Sequence, residues 1–190
     1  DGWQLNEGQM AAGVAILSGG DRFLNIQGVA GAGKSTLLGA LDKVLDAEGI
    51  KLVGLAFQNK MVADLRGGSG QTISADQMRE AGIEAYTIAR FLSTYASAAA
   101  AGSGERFEAA KAALANTVII TDESSMVSSR DMMRLTTLAE QLDVAKAPFM
   151  GDRQQLSAIE QGKMFAVSQA SGQATVRMDE NIRQKNSPLL

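Results

Sequence analysis

One stretch of the sequence decides the fold: Gly28-Val29-Ala30-Gly31-Ala32-Gly33-Lys34-Ser35, an uninterrupted G-x-x-x-x-G-K-S/T loop. The apolar run Phe23 to Ile26 precedes this loop, and the run Leu37 to Leu41 follows it. This is the order of strand, loop and helix that a phosphate-binding loop requires. In such a loop the backbone N–H groups and the positive end of the following helix face a polyphosphate. The stretch therefore predicts a site for a nucleoside triphosphate.

The polar side chains of the loop have separate expected roles. Lys34 is expected to reach the β and γ phosphates, and Ser35 to supply a hydroxyl to Mg²⁺. Thr36 is the weaker candidate for that hydroxyl, because it lies one step further round the helix. The expected phosphate-binding residues are Gly28, Ala30, Gly31, Ala32, Gly33, Lys34, Ser35 and Thr36. The alternative is a glycine-rich turn that binds nothing.

Composition limits the chemistry that the site can use. The 190 residues include no cysteine and no histidine. Disulfides, thiolate or imidazole metal sites, and mechanisms with Cys or His as the base are therefore excluded. Any base must be a carboxylate, and any metal must have oxygen ligands. With 45% hydrophobic and 21% charged residues, the chain can build the core of a globular domain.

Targeting signals and overall charge give further expectations, although net charge alone decides nothing. No run approaches the ~20 apolar residues that span a bilayer, and no basic N-terminal region precedes an apolar one. We therefore expect a soluble, cytoplasmic protein without a membrane segment. The net charge of −3 argues against a strongly basic domain that coats nucleic acid, although a local groove can still be positive.

Strands and helices alternate along the chain, which predicts an α/β fold with a central parallel sheet flanked by helices. Asn6 with Gln9 resembles a capping box, opening a helix that ends at Gly19-Gly20. We expect mobile loops at 67–72, which contains Gly67-Gly68-Ser69-Gly70, and at 96–108, an alanine-rich stretch that could also be a solvated hairpin. The expected strands are 23–27, 51–57, 117–121 and 147–150, and the expected helices are 34–49, 74–81, 87–95 and one from about residue 60.

A pair of carboxylates, Asp122-Glu123, follows the apolar strand 117–121. Ligands of an open α/β sheet sit beyond the carboxyl ends of its strands, so this pair should face the same crevice as the phosphate loop. Asp122 is then expected to hold Mg²⁺, and Glu123 to polarise the water that attacks the γ phosphate. The alternative is an ordinary acidic pair on the surface.

A third motif, Gly151-Asp152-Arg153-Gln154-Gln155-Leu156, also follows an expected strand. The neutral amide of Gln155 can contact a γ phosphate or its attacking water without adding charge. We therefore expect Gln155 to sense the γ phosphate. An ordinary capped turn is the alternative, and Gln154 is the weaker candidate because its side chain points the other way if the segment is extended.

Together these segments resemble superfamily I helicases of the RecD-like branch, over about Leu5 to Arg183. The chain looks most like the helicase part of conjugative relaxases of the TraI and TrwC type, for which the Asp-Glu-Ser-Ser-Met-Val string is characteristic. The resemblance implies a RecA-like P-loop NTPase fold. Residues 1–190 would form the first motor lobe, with an adenine-reading helix at 1–20 and the P-loop core at 21–183. The segments that carry the resemblance are Leu5 to Gln9, the phosphate loop, Thr87 to Leu92, Asp122 to Val127, Gly151 to Ile159 and Met178 to Gln184.

The resemblance also implies roles for single residues, with ATP and Mg²⁺ as ligands. Gln9 matches the glutamine that reads adenine, and Arg183 matches the arginine that closes this lobe onto the γ phosphate. The remaining matches agree with the roles already given: Lys34 and Ser35 for phosphate and Mg²⁺, Asp122 and Glu123 for Mg²⁺ and water, and Gln155 for the γ phosphate.

Single-stranded DNA is the implied partner. Thr87 is the expected contact to the DNA backbone, with a helix N-cap as its alternative role. Phe57 and Gln58 depart from the Ala-Pro-Thr pattern of a DNA-contacting loop, and Ala89 replaces a frequent histidine. Trp3 could stack on a base, or it could simply cover the edge of the first helix.

A motor of this family has two lobes, so a second motor lobe and a relaxase domain of the same larger protein are expected partners. The isolated 190-residue chain is then expected to be poorly active. Three alternatives remain open from the sequence. They are a small nucleotide phosphotransferase, a degenerate motor lobe that only binds DNA or docks proteins, and a RecD-like exonuclease subunit or repair helicase.

Overall fold

The computed structural model describes residues 4–28, 33–56, 84–122, 124–151 and 174–178. Their strands form one six-stranded sheet, in the order β3-β2-β4-β5-β1-β6, and neighbouring strands pair in parallel. This confirms the predicted α/β fold with a central parallel sheet. The strands are β1 Asn25–Gly28, β2 Lys51–Ala56, β3 Glu84–Thr87, β4 Thr117–Thr121, β5 Phe149–Gly151 and β6 Thr175–Met178.

Helices cover both faces of the sheet, because parallel strands need crossover connections that return over a face. The side chains of β4 show the two faces, since Ile119 belongs to one hydrophobic cluster whereas Val118 and Ile120 belong to the other. Helices α1 and α2 contribute to the second cluster, and α3, α4 and α5 to the first. The helices are α1 Glu7–Ser18, α2 Lys34–Ala47, α3 Ile88–Ala101, α4 Glu105–Ala113 and α5 Ser129–Gln141.

The predicted capping box at the start of α1 is confirmed. The Asn6 side chain accepts a hydrogen bond from the Gln9 N–H, and the Gln9 side chain accepts one from the Asn6 N–H, both at 2.8 Å. Two of the backbone donors that a helix N-terminus leaves unpaired are thereby satisfied. The helix ends at Ser18, followed by Gly19 as the C-cap, in agreement with the expected stop at Gly19-Gly20.

The segment 96–108 is helical rather than the expected loop. Helix α3 continues to Ala101 and α4 begins at Glu105, so only residues 102–104 join them. Gly102 and Gly104 have φ of +66° and +93°, values that glycine adopts without steric cost. Alanine is the strongest helix former, which explains why the alanine-rich stretch forms two helices. Ala99 and Ala110 are buried in the same cluster as Phe91.

Sequence reasoning missed β3, β6 and α5. The two strands lie at the opposite edges of the sheet, and their sequences Glu-Ala-Tyr-Thr and Thr-Val-Arg-Met contain no apolar run. The expected helices at 74–81 and from about residue 60, and the expected loop at 67–72, lie outside the described residues. None of the described helices is long and apolar enough to cross a membrane.

Candidate nucleotide-binding site

The strands that lead into the three predicted motifs end at one edge of the sheet. Strand β1 leads into the phosphate loop, β4 leads to Asp122, and β5 lies between them and ends at Gly151. The register sets Asn25 beside Phe149 and Phe149 beside Thr121. Because the strands are parallel, their carboxyl ends share this edge, as expected for a ligand crevice of an α/β sheet.

An ion pair joins the phosphate loop to β4. The Lys34 Nζ lies 3.6 Å from the Asp122 Oδ1, and the two side chains are only 12% and 19% exposed. Charges with so little solvent contact are less screened than a surface pair. The backbone N–H of Asp122 also donates to the Leu55 carbonyl at 2.9 Å, which fixes the residue to β2. The pairing brings two sequence-predicted site residues together.

Two glycines shape the described part of the loop. Gly33 is the N-cap of α2 with φ 74° and ψ 34°, a left-handed conformation that favours glycine. The side-chain stem of Lys34 passes over Gly28, where an added Cβ would lie 3.7 Å from the Lys34 Cγ and Cδ. Thr36 is half-buried in the first turn of α2. The phosphate contacts of these residues stay predictions.

Gln9 ties α1 to the loop through a contact that sequence reasoning did not find. The side chain has no exposed surface, and its Nε2 donates to the Gly33 carbonyl at 2.9 Å. Its Oε1 is the acceptor in the capping box. The oxygen of the amide therefore caps α1, and its nitrogen joins α1 to the start of α2. The adenine contact that the resemblance implies for Gln9 stays a prediction.

Gly8, next to Gln9, allows α1 to lie close to β6. A Cβ at Gly8 would stand 3.1 Å from the Met178 Cα and 3.2 Å from the Arg177 carbonyl oxygen, both backbone atoms. Such distances are tighter than most Cβ contacts, so a larger side chain would push the helix away from the strand. The sequence signal for this role was present only as a glycine inside a helical pattern.

The chain after Asp122 forms a short 3₁₀ turn, Ser124–Met126, which packs against β5. The Ser124 hydroxyl donates to the Thr121 carbonyl at 2.8 Å and so anchors the turn to β4. The Ser125 hydroxyl is buried and, among the described side chains, is the one buried polar group without a hydrogen-bond partner. The turn therefore has a fixed position beside the strand end that carries Asp122.

Thr87 ends β3 at the same edge of the sheet. Its side chain accepts a hydrogen bond from the Arg90 N–H at 3.2 Å and caps α3. The alternative structural role is thus confirmed, and the contact to single-stranded DNA stays a prediction. The Arg90 guanidinium carbon lies 6.0 Å from the centre of the Tyr86 ring, the outer limit of a cation–π contact.

Several sequence-predicted site residues lie, wholly or in their side chains, outside the described part of the chain. The side chain of Ser35 is not described, although its backbone belongs to α2. The following predictions lie outside the described residues: Trp3, Ala30, Gly31, Ala32, Phe57, Gln58, Glu123, Gln155 and Arg183. For Mg²⁺ the described chemistry fits, because the Asp122 carboxylate is an oxygen ligand of the type that this ion takes.

A parallel sheet with a glycine-rich loop after β1, an acid after β4 and one strand between them defines a RecA-like P-loop lobe. Residues 4–189 match the family described as an AAA domain, and the chain belongs to that family. Over 186 residues it is 33% identical to the multifunctional conjugation protein TraI of Escherichia coli K12, covering 95% of this chain and 9% of TraI. It is 29% identical to the probable conjugal transfer protein TraA of Sinorhizobium fredii, covering 85% of this chain and 12% of TraA.

Among solved structures, the Pif1 helicase from Candida albicans has a similar fold. The TM-score is 0.59 and the identity 20%, over 97% of this chain and 42% of Pif1. These matches confirm the resemblance to the first motor lobe of RecD-like superfamily I helicases. The chain spans only about a tenth of the length of the conjugation proteins that it matches.

Proposed function

We propose that this chain binds and hydrolyses ATP as the first lobe of a DNA helicase that moves along single-stranded DNA. The observation that carries the proposal is the Lys34–Asp122 ion pair, which joins the phosphate loop to the strand end with the acidic motif. The fold supports nucleotide use, and the similarity to TraI and TraA supports a role in conjugative DNA transfer. That similarity favours a conjugation protein over an exonuclease subunit or a repair helicase.

Lys34 is the proposed phosphate-binding residue. Its Nζ can exchange the Asp122 carboxylate for the β and γ phosphate oxygens, which are also anionic acceptors of a charge-assisted hydrogen bond. The left-handed Gly33 and the positive end of α2 face the same anion. This exchange would leave the Asp122 carboxylate available as a metal ligand.

Asp122 and Ser35 are the proposed residues that hold Mg²⁺. When bound, this ion neutralises charge that develops on the phosphate oxygens. Glu123, directly after Asp122, is the proposed base that takes a proton from the attacking water. Gln155 and Arg183 are the proposed contacts to the γ phosphate, the first as a neutral donor and the second as a cation.

The partners of the whole protein are part of the proposal. We infer a second motor lobe and a relaxase domain in the same longer polypeptide, because the matched conjugation proteins are much longer than this chain. ATP would then bind between the two lobes, and hydrolysis would open and close them on single-stranded DNA. Such a protein would act in the cytoplasm.

ATP turnover by the longer protein, measured with and without a single-stranded oligonucleotide, tests this function. Wild-type turnover is expected to rise with DNA, whereas Glu123→Gln should lower it by roughly 10² because the base is lost. ATP affinity should change only a fewfold, since the variant keeps the size and polarity of the side chain.

The matched control is Glu140→Gln on α5, a solvent-exposed glutamate. It should turn over ATP like the wild type. Near-normal turnover of Glu123→Gln would show that another group acts as the base. A wild-type rate of ATP turnover that does not change when DNA is added would contradict the helicase proposal.

A further inference from the structure

A groove between α1 and α2 collects most of the exposed large apolar side chains of the described residues. Five such side chains are exposed there, and four of them line this groove: Met10, Val14, Leu17 and Val44. Their exposed fractions are 56%, 59%, 44% and 47%, whereas the fifth, Met133, lies on α5. Single exposed apolar side chains are normal on a protein surface, but a cluster of them marks an interaction site.

Helix α1 is apolar on the side that faces solvent as well as on the side that faces the core. On its core side Ile16 is 2% exposed. Met10, Val14 and Leu17 follow one another at spacings of four and three residues, so they form a second stripe along the helix. Residues 8–20 include no charged residue. A helix that is apolar all round is typical of a position buried on every side, whereas the second stripe of α1 is exposed in the 190-residue chain.

The shape and the chemistry of the groove define what fits it. Its buried lining includes Leu37 and Leu41 of α2, which are 0% and 2% exposed, and Gly13 of α1 lines it beside them. The groove has a volume of about 150 Å³, and an apolar cavity of that size holds a benzene-sized group. The described residues that line it are all apolar or glycine. The groove therefore fits one large apolar side chain and does not compensate a charged one.

Two occupants have this chemistry, a second copy of the chain and another domain of a longer polypeptide. Four side chains that are each about half exposed present roughly a few hundred Å² of apolar surface. A specific dimer buries about 800 Å² per partner, so the groove alone is too small to hold two separate chains together. A linked domain needs a smaller interface, since the linker gives it a high effective concentration. The chain covers 9% of TraI and 12% of TraA, so the matched proteins are long enough to contain such a domain.

We propose that the groove between α1 and α2 is a docking site for another domain of the same longer polypeptide, which inserts a large apolar side chain between the two helices. This inference rests on the longer protein that the proposed function also requires. The docked domain would contact α2, which begins at Lys34, and α1, whose Gln9 donates to the Gly33 carbonyl. Both helices that support the described part of the phosphate loop would therefore be joined to it.

Oxidation by hydrogen peroxide, followed by mass spectrometry of the peptides, tests this docking, because a methionine inside an interface is protected. Met10 and Met133 are a matched pair on two helices, 56% and 59% exposed. In the 190-residue chain their oxidation rates should agree within about twofold. In the longer protein Met10 should react at least about fivefold more slowly than in the 190-residue chain, whereas Met133 should change by less than about twofold. Equal rates of Met10 in the two proteins, or equal protection of Met133, would overturn the proposal.

A charge placed in the groove separates direct docking from an indirect effect. In the longer protein Val14→Asp should abolish the protection of Met10, because burying an unpaired carboxylate is costly. Val44→Asp, on the other wall of the groove, should have the same effect. Met133→Asp is the control and should leave Met10 protected. Circular dichroism of the 190-residue chain should show all three variants folded, since these positions are exposed. Full protection of Met10 in both groove variants would overturn the proposal.

Sedimentation of the 190-residue chain tests the other occupant, a second copy. The chain is expected to be a monomer, because the groove is small. A dimer that Val14→Asp dissociates would show that a second copy fills the groove, and it would overturn the proposal.

Titration of a fluorescent ATP analogue keeps the groove apart from the proposed function. Val14→Asp should bind the analogue within about twofold of the wild type, because the substitution lies outside the nucleotide site. Lys34→Ala should bind it at least about tenfold more weakly. Normal binding by Lys34→Ala beside a protected Met10 would contradict the proposed nucleotide site alone. Weak binding by Lys34→Ala beside an unprotected Met10 would contradict the docking proposal alone.

Discussion

The first and third turns of α2 each carry a charged side chain that is largely buried, but the surroundings of the two charges differ. In the first turn Lys34 faces Asp122, so opposite charges lie 3.6 Å apart. In the third turn Asp42 is 6% exposed, and the nearby Asp46 carries the same charge. Burial first, and then Asp46, raise the pKa of Asp42 to about 6.

The difference shows what a buried charge needs. A carboxylate that leaves water must be compensated by a cation or a ligand, or it takes up a proton more readily. The first turn meets this need with an ion pair, whose members Lys34 and Asp122 are the proposed ligands of phosphate and metal. The causes of the raised pKa of Asp42 include no basic side chain of the described residues, so its charged form lowers the stability of the folded chain at neutral pH.

Removing the Gln9 side chain, which contacts the start of α2, should change the free energy of unfolding more than a substitution in the third turn. Gln9→Ala loses the hydrogen bonds to the Asn6 N–H and the Gly33 carbonyl, and it leaves a cavity in a site without exposed surface. We expect a loss of about 2–3 kcal/mol in the free energy of unfolding, from two buried hydrogen bonds and the cavity. Urea denaturation of the chain measures this.

The control for Gln9→Ala is Gln141→Ala, at the exposed end of α5. It should change the free energy of unfolding by less than about 0.5 kcal/mol, as expected for a surface position. Equal losses for the two variants would show that Gln9 does not hold α1 to the start of α2.

Substituting Asp42 in the third turn should change the free energy of unfolding by a smaller amount and in the opposite direction. The pKa of Asp42 is about 6 in the folded state, above its ordinary value of 3.8. The folded chain therefore loses stability as the pH rises from about 4 to about 6, because the unfolded chain releases this proton first. Asp42→Asn removes this loss and should stabilise the chain by about 1–2 kcal/mol near pH 7.5. The gain should shrink as the pH falls toward about 4.

Urea denaturation at several pH values tests this prediction. Asp46→Asn, which removes only the secondary cause of the raised pKa, should stabilise less than Asp42→Asn near neutral pH. A gain for Asp42→Asn that does not depend on pH would contradict the view that its charge is uncompensated.

The central part of the fold was predictable because its strands are apolar runs. All five residues of β4 are buried, and so are Leu52 and Val53 of β2 and Leu24 and Ile26 in the segment around β1. The edge strands could not be predicted, since two of the four residues of β6 are exposed and β3 mixes charged and apolar residues. The prediction of a loop at 96–108 was wrong, because alanine has a strong helix propensity even in a stretch of low complexity.

The candidate site was predictable only in part, and for a similar reason. Lys34 and Asp122 belong to motifs that follow strands, so their meeting follows from a parallel sheet. The contacts of Gln9 with Gly33 and of Gly8 with β6 join segments far apart in sequence, and they depend on how α1 packs. The capping box signalled only the local half of the role of Gln9. No sequence pattern showed that Ser124 and Ser125 differ.

Titration of a fluorescent ATP analogue with Mg²⁺ into the 190-residue chain tests the nucleotide site most directly. Lys34→Ala should weaken binding at least tenfold, because a charge-assisted contact to phosphate is lost. Lys43→Ala, which removes an exposed lysine further along α2, should bind within about twofold of the wild type. Equal affinities of the wild type and Lys34→Ala would contradict the account, because the loop would then not be the site.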